Sequence, residues 1–199
     1  MITITRNTLP GHTALCLRYK PMSRTNPYKK KVRAASRTLL MYSEGLEDEV
    51  FLKYLRSIYS QNSGVSVKIR NGKGGDPASV VVNASNEPGD YDHRVVVLDN
   101  DVSEESMTSA RQEAKKRNIE LVENTPCLEA VLLTILNKGK SYADKKSAEC
   151  KKEFESTYLD SKERTDTREY EKVFPKNILD DRRGEVAILN RLLILMEGK

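Results

Sequence analysis

Asp99 and Asp101 stand one residue apart, directly after the apolar run Arg94-Val95-Val96-Val97-Leu98. A second apolar run, Thr38-Leu39-Leu40-Met41-Tyr42-Ser43, ends in Glu44-Gly45. Residues i and i+2 of an extended chain point the same way, so Asp99 and Asp101 are expected to face one point. With Glu44 beside them they would form an oxygen-only cluster. Negative charges about 4 Å apart repel by roughly 4 kcal/mol at an effective dielectric of 20, so such a cluster calls for a cation. Oxygen donors favour a hard ion, Mg²⁺ or Mn²⁺, over zinc. An Asp behind a strand also serves as a helix cap, and Ser103-Glu104-Glu105 reads as a helix start. Glu44-Gly45, at the end of the other strand, tips the balance toward metal chemistry.

These carboxylates need elements to hold them. Continuous apolar runs read as central strands covered on both faces, and chemistry in parallel sheets collects at their carboxyl ends. After Glu44-Gly45, Phe51, Leu55 and Ile58 recur at helical spacing, with Val50 and Tyr54 beside them. Val65–Arg70 alternates as a strand. Asn71-Gly72-Lys73-Gly74-Gly75 follows as a turn without the spacing of a phosphate-cradling loop, and Lys73 reads as a turn residue or a substrate contact. Asp76-Pro77 supplies a cap and first residue for a short helix to about Ala84. After the second central strand come a helix from Glu104 to about Lys116, with a small inner face at Met107, Ala110 and Ala114, and a strand at Ile119–Val122. The alternation predicts an α/β fold, a mostly parallel sheet of about four strands flanked by helices.

The helix expected from about Pro126 to Asn137 is apolar nearly all round, which predicts deep packing. Glu129 lies inside that pattern. It either sits at the helix start and pairs with a basic residue, or faces the carboxylate cluster and helps a metal site. Beyond Gly139 the chain turns charged and helical, through Lys145–Tyr158 and Thr165–Lys172, and ends in a helix from about Gly184 to Glu197. Val186, Leu189, Leu193 and Met196 stripe that last helix, widened by Ile188, Leu192 and Leu195, for burial on the core or on another chain.

The net charge of +5 is unevenly spread over the 199 residues. Residues 1–43 hold no acid and nine bases, among them Arg24, Lys29, Lys30, Lys31, Arg33 and Arg37, with Tyr19 and Tyr28 interleaved. The remainder carries 25 bases against 29 acids. A basic arm leading into a carboxylate cluster points to a polyanion, and those six bases are the expected nucleic-acid contacts. The three cysteines, Cys16, Cys127 and Cys150, are too few and scattered for a disulfide framework or zinc site, and the two histidines are far apart. No apolar stretch approaches a membrane span and no signal-peptide core is visible, so a reducing cytoplasm is the expected location. Three regions result: a basic arm over 1–36 with short strands at Met1–Thr5 and Thr13–Arg18, a core over 37–140, and a helical C-terminal extension over 141–199 that packs on the core or a partner.

Glu44-Gly45 followed by Asp99-Asn100-Asp101 resembles the Toprim fold, the acidic core shared by topoisomerases, primases and overcoming-lysogenization-defect nucleases. More narrowly, Ser43-Glu44-Gly45-Leu46-Glu47-Asp48-Glu49 and Asn124-Thr125-Pro126-Cys127-Leu128-Glu129 resemble the RloB-like family of prokaryotic defence loci. The resemblance covers roughly residues 37–160. Asp48 stands where that family usually has Thr, Thr125 is inserted, Leu128 replaces an aromatic residue and Ala130 a Trp.

The resemblance implies that Asp99 and Asp101 ligate Mg²⁺, that Glu44 is a ligand or general acid/base, and that Glu129 and Glu49 are supporting carboxylates. It implies a metal-dependent nuclease, with Lys138 or Lys140 as a guess for leaving-group assistance, working in anti-phage defence with an ATPase partner. Phosphodiester cleavage suits such a site because a bound metal activates water and neutralises charge on the phosphorus oxygens. The rival expectations are a non-catalytic Toprim scaffold that docks on an ATPase or nucleic acid, and, more weakly, a phosphotransfer enzyme.

Overall fold

The structure is a computed structural model that describes residues 35–199. The arm strands, and Arg24, Lys29, Lys30, Lys31 and Arg33, lie outside the described residues. Four strands form one sheet in the order β2-β1-β3-β4, all neighbours parallel: β1 (Arg37–Ser43), β2 (Val65–Asn71), β3 (His93–Asp99) and β4 (Glu120–Asn124). α1 (Leu46–Tyr59), α2 (Pro77–Asn86) and α3 (Glu104–Arg117) connect them.

The chain runs outward from β1 to β2, then crosses back over β1 to β3 and on to β4. The strand order therefore reverses between β1 and β3, and a crevice opens at their carboxyl ends. Both strands read as continuous apolar runs because both their faces are covered. Leu39 and Met41 of β1, with Val95 and Val97 of β3, face one core, while Leu40, Tyr42, Val96 and Leu98 face the other. The second core is closed by Val80, Val81 and Ala84 of α2 and Ala110 and Ala114 of α3, whose small side chains let the two helices lie close on the sheet. The Asp76 carboxylate caps α2 by accepting from the Ser79 amide, and Ser103 caps α3 by accepting from Ser106.

α4 (Leu128–Leu136) returns to the α1 face, followed by α5 (Ser147–Thr157), a 3₁₀ turn (Glu163–Thr165), α6 (Thr167–Val173), α7 (Lys176–Arg182) and α8 (Ala187–Glu197). Of the two expectations for the C-terminal extension, packing on the core is the one seen, and its helices share the core cluster. Phe154 of α5, Tyr170 of α6, Leu179 of α7 and Leu193 of α8 join Phe51 and Leu55 of α1 in one buried cluster. Its aromatic centre places the Phe51 ring 5.5 Å from Tyr170 and 5.9 Å from Phe174. α4 is apolar all round because sheet and C-terminal helices enclose it. Leu189, Leu193 and Met196 of α8 are buried within this chain, so that stripe is not left for an oligomer contact. α7 has no sequence periodicity to announce it, being seven residues between Pro175 and a polar loop. Among the described residues no helix is long and apolar enough to cross a membrane.

Candidate functional site

Glu44 follows the last residue of β1, and its amide donates to Val97 O of β3 at 3.2 Å, which seats it on the neighbouring strand's rim. One of its carboxylate oxygens, Oε2, accepts from the Asp99 amide at 3.4 Å. The two strand ends expected to carry chemistry are thus adjacent at the switch point. Gly45 then starts α1, where a Cβ would meet Asp48 Oδ2 at 3.3 Å. Its missing side chain leaves room for Asp48, which α1 carries one turn on.

Asp48 was not among the expected site residues, yet it is buried at the centre of the group. Asn124, paired with Asp99 in the β3–β4 register, donates through Nδ2 to Asp99 Oδ1 at 3.1 Å and to Asp48 Oδ1 at 3.3 Å. The Leu128 amide at the start of α4 also donates to Asp99 Oδ1, at 3.0 Å. Asp99 Oδ2 is left toward the pocket, with Lys151 Nζ of α5 at 4.0 Å. Glu44, Asp48, Asp99, Glu129 and Lys151 help line a pocket of about 320 Å³, and the glycine-rich turn touches it through Gly74 rather than Lys73.

Asp101 does not continue the strand's alternation. The extended backbone stops at Asp99, because the Asn100 amide turns to donate to Asn124 O and Pro126 O. Asp101 instead faces an adjoining cleft, where it accepts from Ser147 Oγ at 2.6 Å and meets Lys151 Nζ at 3.4 Å. The two aspartates are therefore joined across Lys151 rather than side by side.

Glu129 has the basic partner expected of it, Arg164 of the 3₁₀ turn at 2.9 Å, and also faces the carboxylate pocket. Arg164 is buried and also reaches Glu47 at 2.5 Å. Glu49 is not brought to the pocket; it accepts from Asn71 and pairs with Lys53 at 2.8 Å. Arg37 opens β1, and at about 3.3 Å per residue it stands roughly 20 Å from Glu44, at the opposite end of the sheet. Lys138 pairs with Asp181 at 3.5 Å, and neither it nor Lys140 lines the pocket.

Burial disfavours the charged form of these acids. Asp99 is pushed up to about 7, chiefly by burial and against the Asn124 hydrogen bond, with Glu129 and Asp101 adding repulsion. Burial also raises Glu44, with Asp101 adding to it, and Asp48 well above the usual range, with Asp99, Glu129 and Glu44 adding to it. For Lys151, burial pulls down but Glu129, Asp101 and Asp99 outweigh it, so the ammonium is held charged. The Cys127 thiol is pushed up to about 12 by burial, which removes it as a nucleophile.

No three acidic, histidine or cysteine side chains among the described residues close on one point. The donor set nonetheless fits a hard divalent ion. It is all oxygen, it holds more carboxyl groups than Lys151 can pair, and the buried Asn124 Oδ1 and Glu129 Oε2 lack hydrogen-bond partners among the described residues. Sequence reasoning missed Asp48, Asn124, Lys151 and Arg164. Asp48 could have been found from its place one helical turn behind Glu44; Lys151 and Arg164 come from a charged stretch that carries no local signal. Comparison with protein-family models, curated proteins and solved structures finds no match to this chain.

Proposed function

We propose that this chain is a metal-dependent phosphodiesterase of Toprim type that cleaves nucleic acid, of the kind the RloB-like resemblance implies. One observation carries the reading: the Glu44 carboxylate lies against the Asp99 amide at the β1–β3 switch point, with Asp48 tied to Asp99 through Asn124. In this reading Glu44, Asp48 and Asp99 hold Mg²⁺ or Mn²⁺, with Asp101 nearby. The ion, when bound, supplies charge neutralisation on the phosphate and an activated water.

The chain's own groups do the rest. Asn124 and the Leu128 amide fix one oxygen of Asp99, so its other oxygen keeps one direction. Burial raises Glu44 above the usual carboxylate range, the direction that favours a general acid/base role. Lys151, held charged between the aspartates, sits where negative charge gathers on a bound phosphate. By the same resemblance the protein works in anti-phage defence alongside an ATPase, and its few scattered cysteines suit a reducing cytoplasm.

The test is cleavage of plasmid DNA and of RNA with Mg²⁺ or Mn²⁺, paired with calorimetry of Mn²⁺ binding. Asp99→Ala and Glu44→Ala should lose cleavage and metal binding with unchanged circular dichroism. Undiminished cleavage in both would remove the site. A scaffold without turnover is the second reading, favoured by Lys151, which already supplies a cation to Asp99 and Asp101. It predicts salt-dependent binding of nucleic acid or an ATPase, with no metal uptake.

A further inference from the structure

Among the described residues only two large apolar side chains are exposed, Leu46 at 52% and Val102 at 40%. Scattered apolar residues on a surface need no explanation, but these two are not scattered. Leu46 lies two residues beyond Glu44 and lines the carboxylate pocket. Val102 directly follows Asp101 and lines the adjoining cleft of about 570 Å³. The pocket and the cleft share Lys151 as a common wall.

The cleft is cationic where the pocket is acidic. Lys145 and Lys146, just before α5, line it together with Lys151. Lys145 is steadied by Glu153 at 2.9 Å and by the Tyr142 ring, whose centroid is 4.4 Å from its ammonium. Lys146 is exposed. The rim thus offers three ammonium groups for a polyanion, beside acids suited to a divalent ion, and an apolar side chain on each side.

We infer that this rim grips an unpaired segment of nucleic acid, with the sugar–phosphate backbone in the Lys145–Lys146–Lys151 cleft and the bases against Leu46 and Val102. The inference rests on the proposed phosphodiesterase reading and names its substrate class. Phosphate charge complements the lysines, and continuity through Lys151 leads the backbone from the cleft to the carboxylates. A duplex keeps its base faces stacked inside and would leave both apolar side chains in water. An unpaired strand turns those faces outward, where apolar side chains pack on them. Arg37 does not take part in this contact, since it stands at the other end of the sheet.

The experiment is fluorescence anisotropy on the full chain with a short labelled oligonucleotide, unpaired or annealed to its complement, in DNA and RNA versions. Calcium replaces magnesium, so that binding is read apart from cleavage. Leu46→Ala/Val102→Ala should weaken unpaired binding about tenfold and leave duplex binding unchanged. Lys146→Ala should lower the slope of log affinity against log salt by about 0.7 on the unpaired strand. Unchanged unpaired affinity in the double variant, or equal losses on both substrates, overturns the inference. So does self-association of the wild-type chain that the double variant abolishes with oligonucleotide binding intact, because the pair would then be a contact between copies. The phosphodiesterase reading fails separately: it falls if Asp99→Ala and Glu44→Ala still cleave, whatever the anisotropy shows.

Discussion

Asn124 stands opposite Asp99 across the β3–β4 pairing, and its single amide nitrogen serves both Asp99 and Asp48. One neutral donor shared by two buried acids relieves part of their repulsion without adding charge.

Removing that donor should be felt in stability and in metal uptake. Asn124→Ala leaves two buried carboxylates short of a hydrogen bond and should cost about 1–3 kcal/mol in urea unfolding. Asn124→Asp adds a further acid, should cost more in EDTA, and should recover part of the loss on adding Mn²⁺. If Mn²⁺ stabilises wild type and Asn124→Asp equally, the pocket is not where the ion binds.

Asp99 makes stability depend on pH in an unusual direction. Its folded pKa of about 7 lies above its unfolded value near 3.8. Between these values the native state holds the extra proton, so raising the pH reduces stability, and the loss is complete above about pH 7. Asp99→Asn keeps an oxygen for Asn124 and Leu128 but cannot ionise. In EDTA at pH 8 it should be more stable than wild type by roughly 1–3 kcal/mol, while cleavage is lost. Urea melts at pH 5 and pH 8 check this; an identical pH difference in both proteins would count against it.

Arg164 joins the C-terminal segment to the site through Glu129 and Glu47. Arg164→Ala strands a buried Glu129 and should destabilise by about 3–5 kcal/mol. Adding Glu129→Gln should recover much of the loss. A double variant no better than Arg164→Ala would mean that packing of the guanidinium, and not its charge, is what counts.

The last helix is structural. Leu193 of α8 is fully buried in the same cluster as Phe51, so Leu193→Ala should cost about 2–5 kcal/mol by thermal or urea unfolding. A truncation removing residues 141–199 should not give a cooperative transition. A folded, soluble truncation would mean that the sheet and its first helices stand without that segment.

Much of the fold was legible because its signals are local. Continuous apolar runs at Leu39–Tyr42 and Val95–Leu98, alternation in Val65–Arg70, helical spacing in Phe51, Leu55 and Ile58, and caps at Asp76 and Ser103 depend on neighbours within a few residues. Glu44 and Asp99 were legible for the same reason, as acids placed where apolar runs stop. Strand order, register and the return of the C-terminal helices depend on packing between distant segments. They alone seat Asn124 beside Asp48 and bring in Lys151 and Arg164. They also direct Glu49 toward Asn71 and Lys53, and Asp101 toward Ser147. The amino-acid order determined which acids end strands, because an apolar run and the residue that stops it are neighbours in the chain. Only the tertiary structure decided which acids share one pocket and which cations answer them, because that follows from the burial of surfaces far apart in the chain.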